Sequence, residues 1–325
     1  MNIIFMGTPD FALPSLQQLY ESDHHVRAVV TQPDRPKGRN RKPAPPPVKQ
    51  FAMEHGLPVL QPGTITPDLI KTLGDLEPDL IIVVAFGQIL KKDLLALPRH
   101  FCINLHSSLL PKYRGAAPIN WAIINGDKET GVTTMKMDDG LDTGDTLLSW
   151  KTPIRDEDDA QSLHDTLARE GARLLLETLR RLEERNLQPV PQDSSLSSYA
   201  PKLKKKDGLI DWSKSAVETH NRVRGLEPWP GAYTFSGSQR LRICKTKVVP
   251  GGSGNQAGKI ARTSDHGIEV GTGDGRILVT QLQPEGKKRM AAKSFLAGHK
   301  INPGDEWASS EISDSTRERD TCQEL

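Results

Sequence analysis

Residues 79–85 read DLIIVVA, and this stretch decides the fold. Its run Ile81-Ile82-Val83-Val84-Ala85 is apolar without a break. A half-exposed strand would alternate, so a continuous run fits a central parallel strand buried on both faces. Similar short runs lie on either side: NIIFM (2–6), VRAVVT (26–31), FCINLH (101–106) and GVTTMKM (131–137). Helix-like segments fall between them at 11–21, 47–55, 66–74 and 117–125. Thr66-Pro67-Asp68 is a helix start, with Thr as cap and Pro in the first turn. Alternating strands and helices imply an α/β domain with a Rossmann-like, doubly wound parallel sheet.

Further along, 159–186 repeats leucine at near-helical spacing (Leu163, Leu167, Leu174, Leu175, Leu179, Leu182) and predicts one long amphipathic helix. The character then changes. QPVPQDSSLSSYAPKLKKK (188–206) is rich in Pro and Ser and ends in a lysine cluster, which reads as a linker. Beyond it come a short helix near 213–225 and glycine-punctuated strands at 231–236, 240–248, 258–263, 267–271 and 276–282. These predict a small β-barrel. The expected organisation is a first domain over 1–188, a linker over 189–206, a second domain over 207–307 and a loose tail over 308–325.

With 325 residues, 36% of them hydrophobic, the chain has material for about two cores at ~150 residues per domain. No run of ~18 apolar residues is present, so no membrane span is expected. The start, MNIIFMGTPDFALPSL, lacks the features of a secretory or organelle-targeting signal. Three widely spaced cysteines (Cys102, Cys244, Cys322) fit a reducing cytoplasm and offer no metal-ligand spacing.

The net charge of +2 hides an asymmetry. Residues 201–307 hold 19 Lys/Arg against 10 Asp/Glu, whereas 1–200 hold 22 against 26. Inside that acidic first part, 35–49 carries Arg35, Lys37, Arg39, Arg41, Lys42 and Lys49 and no acid. Two separate basic regions point to a polyanionic partner.

Gly7 follows the first strand, but neither G-x-G-x-x-G nor a P-loop pattern is present, so dinucleotide and P-loop readings fail. On a strand over 101–106, side chains alternate between faces. Phe101, Ile103 and Leu105 then share one face, and Cys102, Asn104 and His106 the other. Asn104 and His106 would lie at the carboxyl end, where open α/β sheets bind ligands. The segment MKMDDGLDTGDT (135–146) offers four carboxylates, Asp138, Asp139, Asp142 and Asp145. Their spacing does not fit a calcium loop. One of them facing His106 would fix its tautomer and favour its protonated form; spacing alone leaves open which.

The blocks VTQPDRPKGR (30–39), NLHSSLLPKYRGAAPINWAIINGD (104–127), DDGLDTGD (138–145) and IDWSKSAVETHNRVRGLEPWPGAYT (210–234) together resemble the bacterial methionyl-tRNA formyltransferases, over roughly 2–307. The resemblance implies a formyltransferase fold followed by an oligonucleotide-binding-like (OB-like) barrel. It also implies transfer of the formyl group of 10-formyltetrahydrofolate, as donor substrate, to the α-amino group of initiator methionyl-tRNA. By the same resemblance Asn104, His106 and Asp142 are the catalytic residues. Asn104 would donate to the tetrahedral oxyanion, a contact worth ~3–4 kcal/mol in comparable sites. His106 would stabilise charge or pass a proton to the leaving N10, and Asp142 would hold His106, with a water relaying the amine proton.

Ser108, Leu109, Leu110 and Pro111 match the folate-contacting segment. Arg39, supported by Arg35, Lys37, Arg41 and Lys42, matches the loop that meets the tRNA acceptor end. No metal is required, and a cytoplasmic monomer is expected. Two other readings make different demands. A formyltransferase for a small amine or amino-sugar nucleotide needs neither the basic loop nor the basic second domain. A catalytically dead RNA binder on the same scaffold would have lost Asn104, His106 or Asp142, and all three are present.

Overall fold

The computed structural model describes residues 1–37, 42–250 and 256–310. They divide into two compact units. One comprises Met1–Pro118, Glu129–Pro153 and Ser162–Pro201; the other comprises Ile119–Lys128, Ile154–Gln161 and the chain from Lys202 onward.

The first unit is built on a seven-stranded sheet. Five strands run parallel, in the spatial order Val59–Leu60, His25–Val30, Asn2–Gly7, Leu80–Val84 and Cys102–His106. The central strand Leu80–Val84 is buried throughout, as its unbroken apolar run requires. Thr66 caps the helix Pro67–Gly74 by accepting from the Leu69 N–H, with Pro67 in the first turn. Gly7 serves close packing: a Cβ there would sit 2.7 Å from the Phe5 ring and 2.9 Å from the Ala12 Cβ.

The sheet departs from all-parallel order at one edge. Glu129–Lys136 runs antiparallel to Cys102–His106, with Thr133 opposite His106 and Lys136 opposite Ile103. Thr146–Pro153 then pairs antiparallel with Glu129–Lys136 and forms the edge. No strand was expected over 146–153. Exposed Ser149, Lys151 and Pro153 interrupt its apolar pattern, which is how a solvated edge strand is written. On its free side Val190 exchanges backbone hydrogen bonds with Thr146, at 2.8 and 2.9 Å.

The long helix runs from Ala160 to Glu183. Gly171 lets it approach the sheet, since a Cβ there would fall 2.9 Å from Leu105. Leu105 thus faces this helix, and Asn104 and His106 face the other way, as period-two alternation dictates. Cys102 shares their face and joins a core with Ile4, Met6, Ile81, Val83 and Leu94. Burial pushes its thiol up to about 12, so it is inert.

The second unit is an antiparallel sheet, in the order Ile260–Ser264, Gly267–Gly271, Arg276–Pro284, Gln239–Val249, Ala232–Ser236 and Trp307–Ala308. It curls toward closure. Residues 304–307 hydrogen-bond to 258–260 through Trp307 N to Gly258 O and Ile260 N to Asp305 O, both 2.8 Å. Trp212 fixes the interior, donating from its indole N–H to Thr234 Oγ1 at 3.0 Å and packing against buried Trp307. Helix Ala216–Gly225 begins with a capping box between Ser215 and Glu218. The small barrel expected here is thus present as a curled sheet. Among the described residues no helix is long and apolar enough to cross a membrane.

His164, on the long helix, stands between two carboxylates. Its Nε2 lies 3.4 Å from Asp10 Oδ1 and its Nδ1 2.9 Å from Asp165 Oδ1. The bond to Asp10 holds the His164 pKa above its ordinary value, and the same bond holds Asp10 below its own. The histidine's contribution to stability is full below its unfolded pKa of about 6.5 and is lost as pH rises through the raised folded value. The aspartate's is full above the ordinary carboxylate range and is lost as pH falls through its lowered value. His164→Gln should therefore lower the melting temperature most near about pH 5–6 and least near about pH 9. Thermal unfolding of both proteins across that range checks it; a gap that widens with pH would refute the pairing.

Candidate active site

The strand Cys102–His106 delivers two polar side chains to one face, and a single carboxylate meets both. Asn104 Nδ2 donates to Asp142 Oδ1 at 3.2 Å. His106 Nδ1 lies 3.7 Å from Asp142 Oδ2. That separation exceeds a direct hydrogen bond. The side chains of His106 and Asp142 are only 7% and 15% exposed, so their mutual electrostatics are poorly screened.

Geometry gives distinct places to three of the four carboxylates that spacing alone leaves equivalent. Asp138 is occupied within its own loop, accepting from Thr143 Oγ1 and from the Gly140 N–H. Asp139 pairs with Lys92 at 3.1 Å. Asp142 is the one placed against Asn104 and His106. The antiparallel direction of Glu129–Lys136 explains how it gets there. That strand ends level with Ile103, so the following loop must turn back along the Asn104/His106 face. Gly144 permits this turn by pressing on the carbonyl of Lys136.

The loop 107–117 holds the other side. His106 Nε2 is 2.9 Å from the Tyr113 carbonyl. A carbonyl only accepts, so Nε2 is the protonated nitrogen and Nδ1 is turned toward Asp142. The Gly115 N–H donates to Asp142 Oδ2 at 2.8 Å. Tyr113 and Asp142 have φ of +60° and +54°. Non-glycine residues there cost of order 1–3 kcal/mol each and persist where surroundings fix them. The fixing elements come from the stretch read as a linker. Tyr199–Ala200 pairs in parallel with Arg114–Gly115, and Ser198 Oγ accepts from the Tyr113 N–H at 2.9 Å. Gln192 connects Arg114 to the Asp142 loop. Sequence reasoning passed over Tyr113, Gly115, Gln192 and Ser198. For the first two, the Tyr-Arg-Gly within LPKYRGAAP was the available signal.

Ser108 is fully buried and donates to the Lys112 carbonyl at 2.6 Å. Its own carbonyl accepts from Thr133 Oγ1 at 2.7 Å. It shapes the 108–112 turn from inside, while Leu109, Leu110 and Pro111 are half-buried. In the basic region, Arg35–Lys37 and Lys42–Ala44 pair as a short antiparallel ladder. Arg35 is exposed and donates to Gln32 Oε1 at 3.2 Å. Arg39 and Arg41 lie outside the described residues. Lys49 is tied to Asp34 at 2.9 Å; hydrogen bonds from Gln61 and Lys49 hold the Asp34 carboxyl below the usual range. Among the described residues no group of three or more His, Cys, Asp or Glu could hold a metal ion.

Comparison with known proteins gives a consistent pattern. Residues 1–179 match the family model described as formyl transferase, and residues 202–300 match that of the formyl transferase C-terminal domain. The chain is 54% identical to a methionyl-tRNA formyltransferase of Citrifermentans bemidjiense over 305 residues, covering 94% of this chain and 95% of that protein. It is 50% identical to one from Ruminiclostridium cellulolyticum, covering 94% and 99%. Among solved structures it is similar to WlaRD, a sugar 3N-formyl transferase crystallised with dTDP and 5-N-formyl-THF. That match has a TM-score of 0.66 at 20% identity and covers 89% of this chain and 99% of that one. It is also similar to HypX from Aquifex aeolicus in complex with tetrahydrofolic acid, with TM-score 0.59 at 18% identity. Here 93% of this chain aligns with 50% of that one. At these identities the structural likeness is one of fold.

The close approach of Gly144 makes a testable demand. A Cβ there would sit 1.9 Å from the Lys136 carbonyl oxygen, a backbone atom whose own residue is bonded to Asp145. Gly144→Ala should cost about 1–3 kcal/mol, the range for forced overpacking. It should also lower activity by shifting Asp142. Urea unfolding and turnover on one preparation check both; unchanged stability would refute the steric argument.

Proposed function

The chain belongs to the methionyl-tRNA formyltransferase family, and we infer that it transfers the formyl group of 10-formyltetrahydrofolate to the α-amino group of initiator methionyl-tRNA. The observation that carries this reading is the convergence of Asn104 and His106 on Asp142, in a chain half identical to such enzymes across nearly its whole length.

The neutral amine attacks the formyl carbon, and the carbonyl oxygen becomes an oxyanion. Asn104 uses one amide N–H on Asp142, and its second N–H is the donor for that oxygen. As the new C–N bond forms, the amine must lose a proton. His106 Nδ1 is the acceptor, because Nε2 already carries its hydrogen toward Tyr113. The 3.7 Å gap to Asp142 brings the carboxylate close enough to stabilise the imidazolium and leaves Nδ1 open to the amine or a relaying water. Breaking the formyl–N10 bond returns the proton to N10 and yields tetrahydrofolate. The covalent bonds form and break between the two substrates, and these three side chains contribute proton transfer and charge stabilisation.

Leu109, Leu110 and Pro111 contact the folate in this reading, and Ser108 holds their turn. Arg35, Lys37, Arg39, Arg41 and Lys42 contact the tRNA, together with the basic second unit. Phosphate contacts of this kind make affinity fall steeply with salt.

The decisive assay offers 10-formyltetrahydrofolate with methionyl initiator tRNA, free methionine or glycinamide ribonucleotide. Formylation of the tRNA alone is expected; transfer only to a small amine would favour the small-amine reading, and no transfer would favour an RNA binder. Asn104→Ala, His106→Ala and Asp142→Ala should each cut turnover by about 10²-fold or more, on the scale of lost oxyanion or acid–base groups. Near-normal turnover in any one removes that residue from the mechanism. Arg39→Ala should raise KM for tRNA and flatten its salt dependence while sparing folate affinity; a folate defect would show that the loop has been misassigned.

A further inference from the structure

The segment between Val190 and Ala200 was expected only to join two domains, and the reaction above uses none of its side chains. One of them nevertheless has its hydrogen-bonding capacity filled by the surroundings of Asp142. Gln192 Oε1 accepts from Arg114 Nε at 3.1 Å and Nη2 at 2.8 Å. Gln192 Nε2 donates to the carbonyl of Asp142 at 2.9 Å and to that of Gly144 at 2.7 Å. Chemistry fixes this orientation. A guanidinium only donates and carbonyls only accept, so a flipped amide would lose all four bonds.

The placement is specific in what it joins. Two of the bonds grip the backbone of the loop that carries Asp142, at Asp142 itself and two residues on. The other two grip Arg114, whose neighbour Gly115 supplies the N–H that holds the Asp142 carboxylate. One amide therefore ties the backbone of Asp142 and the anchor of its side chain to a common point. Asp142 has a left-handed backbone, φ +54°, a conformation that needs such outside support.

We propose that Gln192 is a positioning residue for formyl transfer, holding the Asp142 carboxylate in register with Asn104 and His106. The stretch read from sequence as a linker is then part of the reacting site's support. This rests on the reading of Asp142 as part of the catalytic set, and the experiment separates the two.

Gln192→Glu keeps the length and the acceptor for Arg114 but removes both donors to the Asp142 loop. It should lower kcat roughly 10- to 100-fold, the cost of a misplacement of order 1 Å. KM for folate and for tRNA should stay within about twofold, because the lost interaction acts on the transition state. On an Asp142→Asn background, followed by single-turnover kinetics, the same substitution should cost nothing further, as expected for residues acting through one contact. Equal losses on both backgrounds would overturn the proposal, and so would wild-type kcat. If Asp142→Asn alone is nearly as active as wild type, the catalytic reading falls and the proposal with it. If Asp142→Asn collapses beside a fully active Gln192→Glu, the proposal alone falls. Should Gln192→Glu fail to fold, Gln192→Met, similar in length and without any of the four bonds, meets the same criteria.

Discussion

A carboxylate with two oxygens and three neighbours organises the first unit's site. Asp142 accepts from the Asn104 amide on one oxygen and from the Gly115 N–H on the other, with His106 beside it. The neighbours come from two stretches of chain: Asn104 and His106 from one parallel strand, Gly115 from the loop beyond it. Asp142 itself arrives on a loop that begins level with the opposite end of that strand. Direct attraction would not assemble these groups, since burying a carboxylate is costly unless hydrogen bonds satisfy it. The sheet and its loops must hold them in place, and the left-handed backbones of Tyr113 and Asp142 record what that costs.

Much of the scaffold was readable because it rests on local pattern. The strands near 2–6, 26–31 and 101–106 announce themselves by apolar runs, and alternation along FCINLH correctly puts Asn104 and His106 on one face. The helix at 66–74 declares its start through Thr66 and Pro67, and the glycine-broken strands after 231 fall close to their observed positions. Direction was not readable. Nothing local in GVTTMKM says that it runs against its neighbour, because strand polarity is set by where the connection returns. The edge strand Thr146–Pro153 was hidden for a related reason: solvent on one side removes the apolar signal.

The site was legible in part. Residue type and period single out Asn104 and His106, but four aspartates within eight positions cannot be separated by spacing. Asp142 is distinguished only once Asp138 is seen bonded to Thr143 and Asp139 to Lys92. Support from 192–200 was illegible. Apart from the Arg114 guanidinium, its partners are backbone carbonyls and N–H groups, which every residue possesses, so sequence carries no mark of them. A Pro/Ser-rich composition correctly signals the absence of long helix or strand there, and says nothing of short ladders such as Tyr199–Ala200 against Arg114–Gly115.

The outer edge of the first sheet has a bearing on how the chain avoids pairing with other molecules. A long bare strand edge is a template on which a second, partly folded molecule can add a strand. Here Val190 occupies the pairing positions at Thr146, Lys151 stands out into solvent, and Pro153 closes the far end without an N–H to offer. What remains open between them is a short interval whose lysine, Lys151, pairs with Glu129 at 3.4 Å. Once Val190 is in place, a second molecule therefore finds little on this edge to pair against.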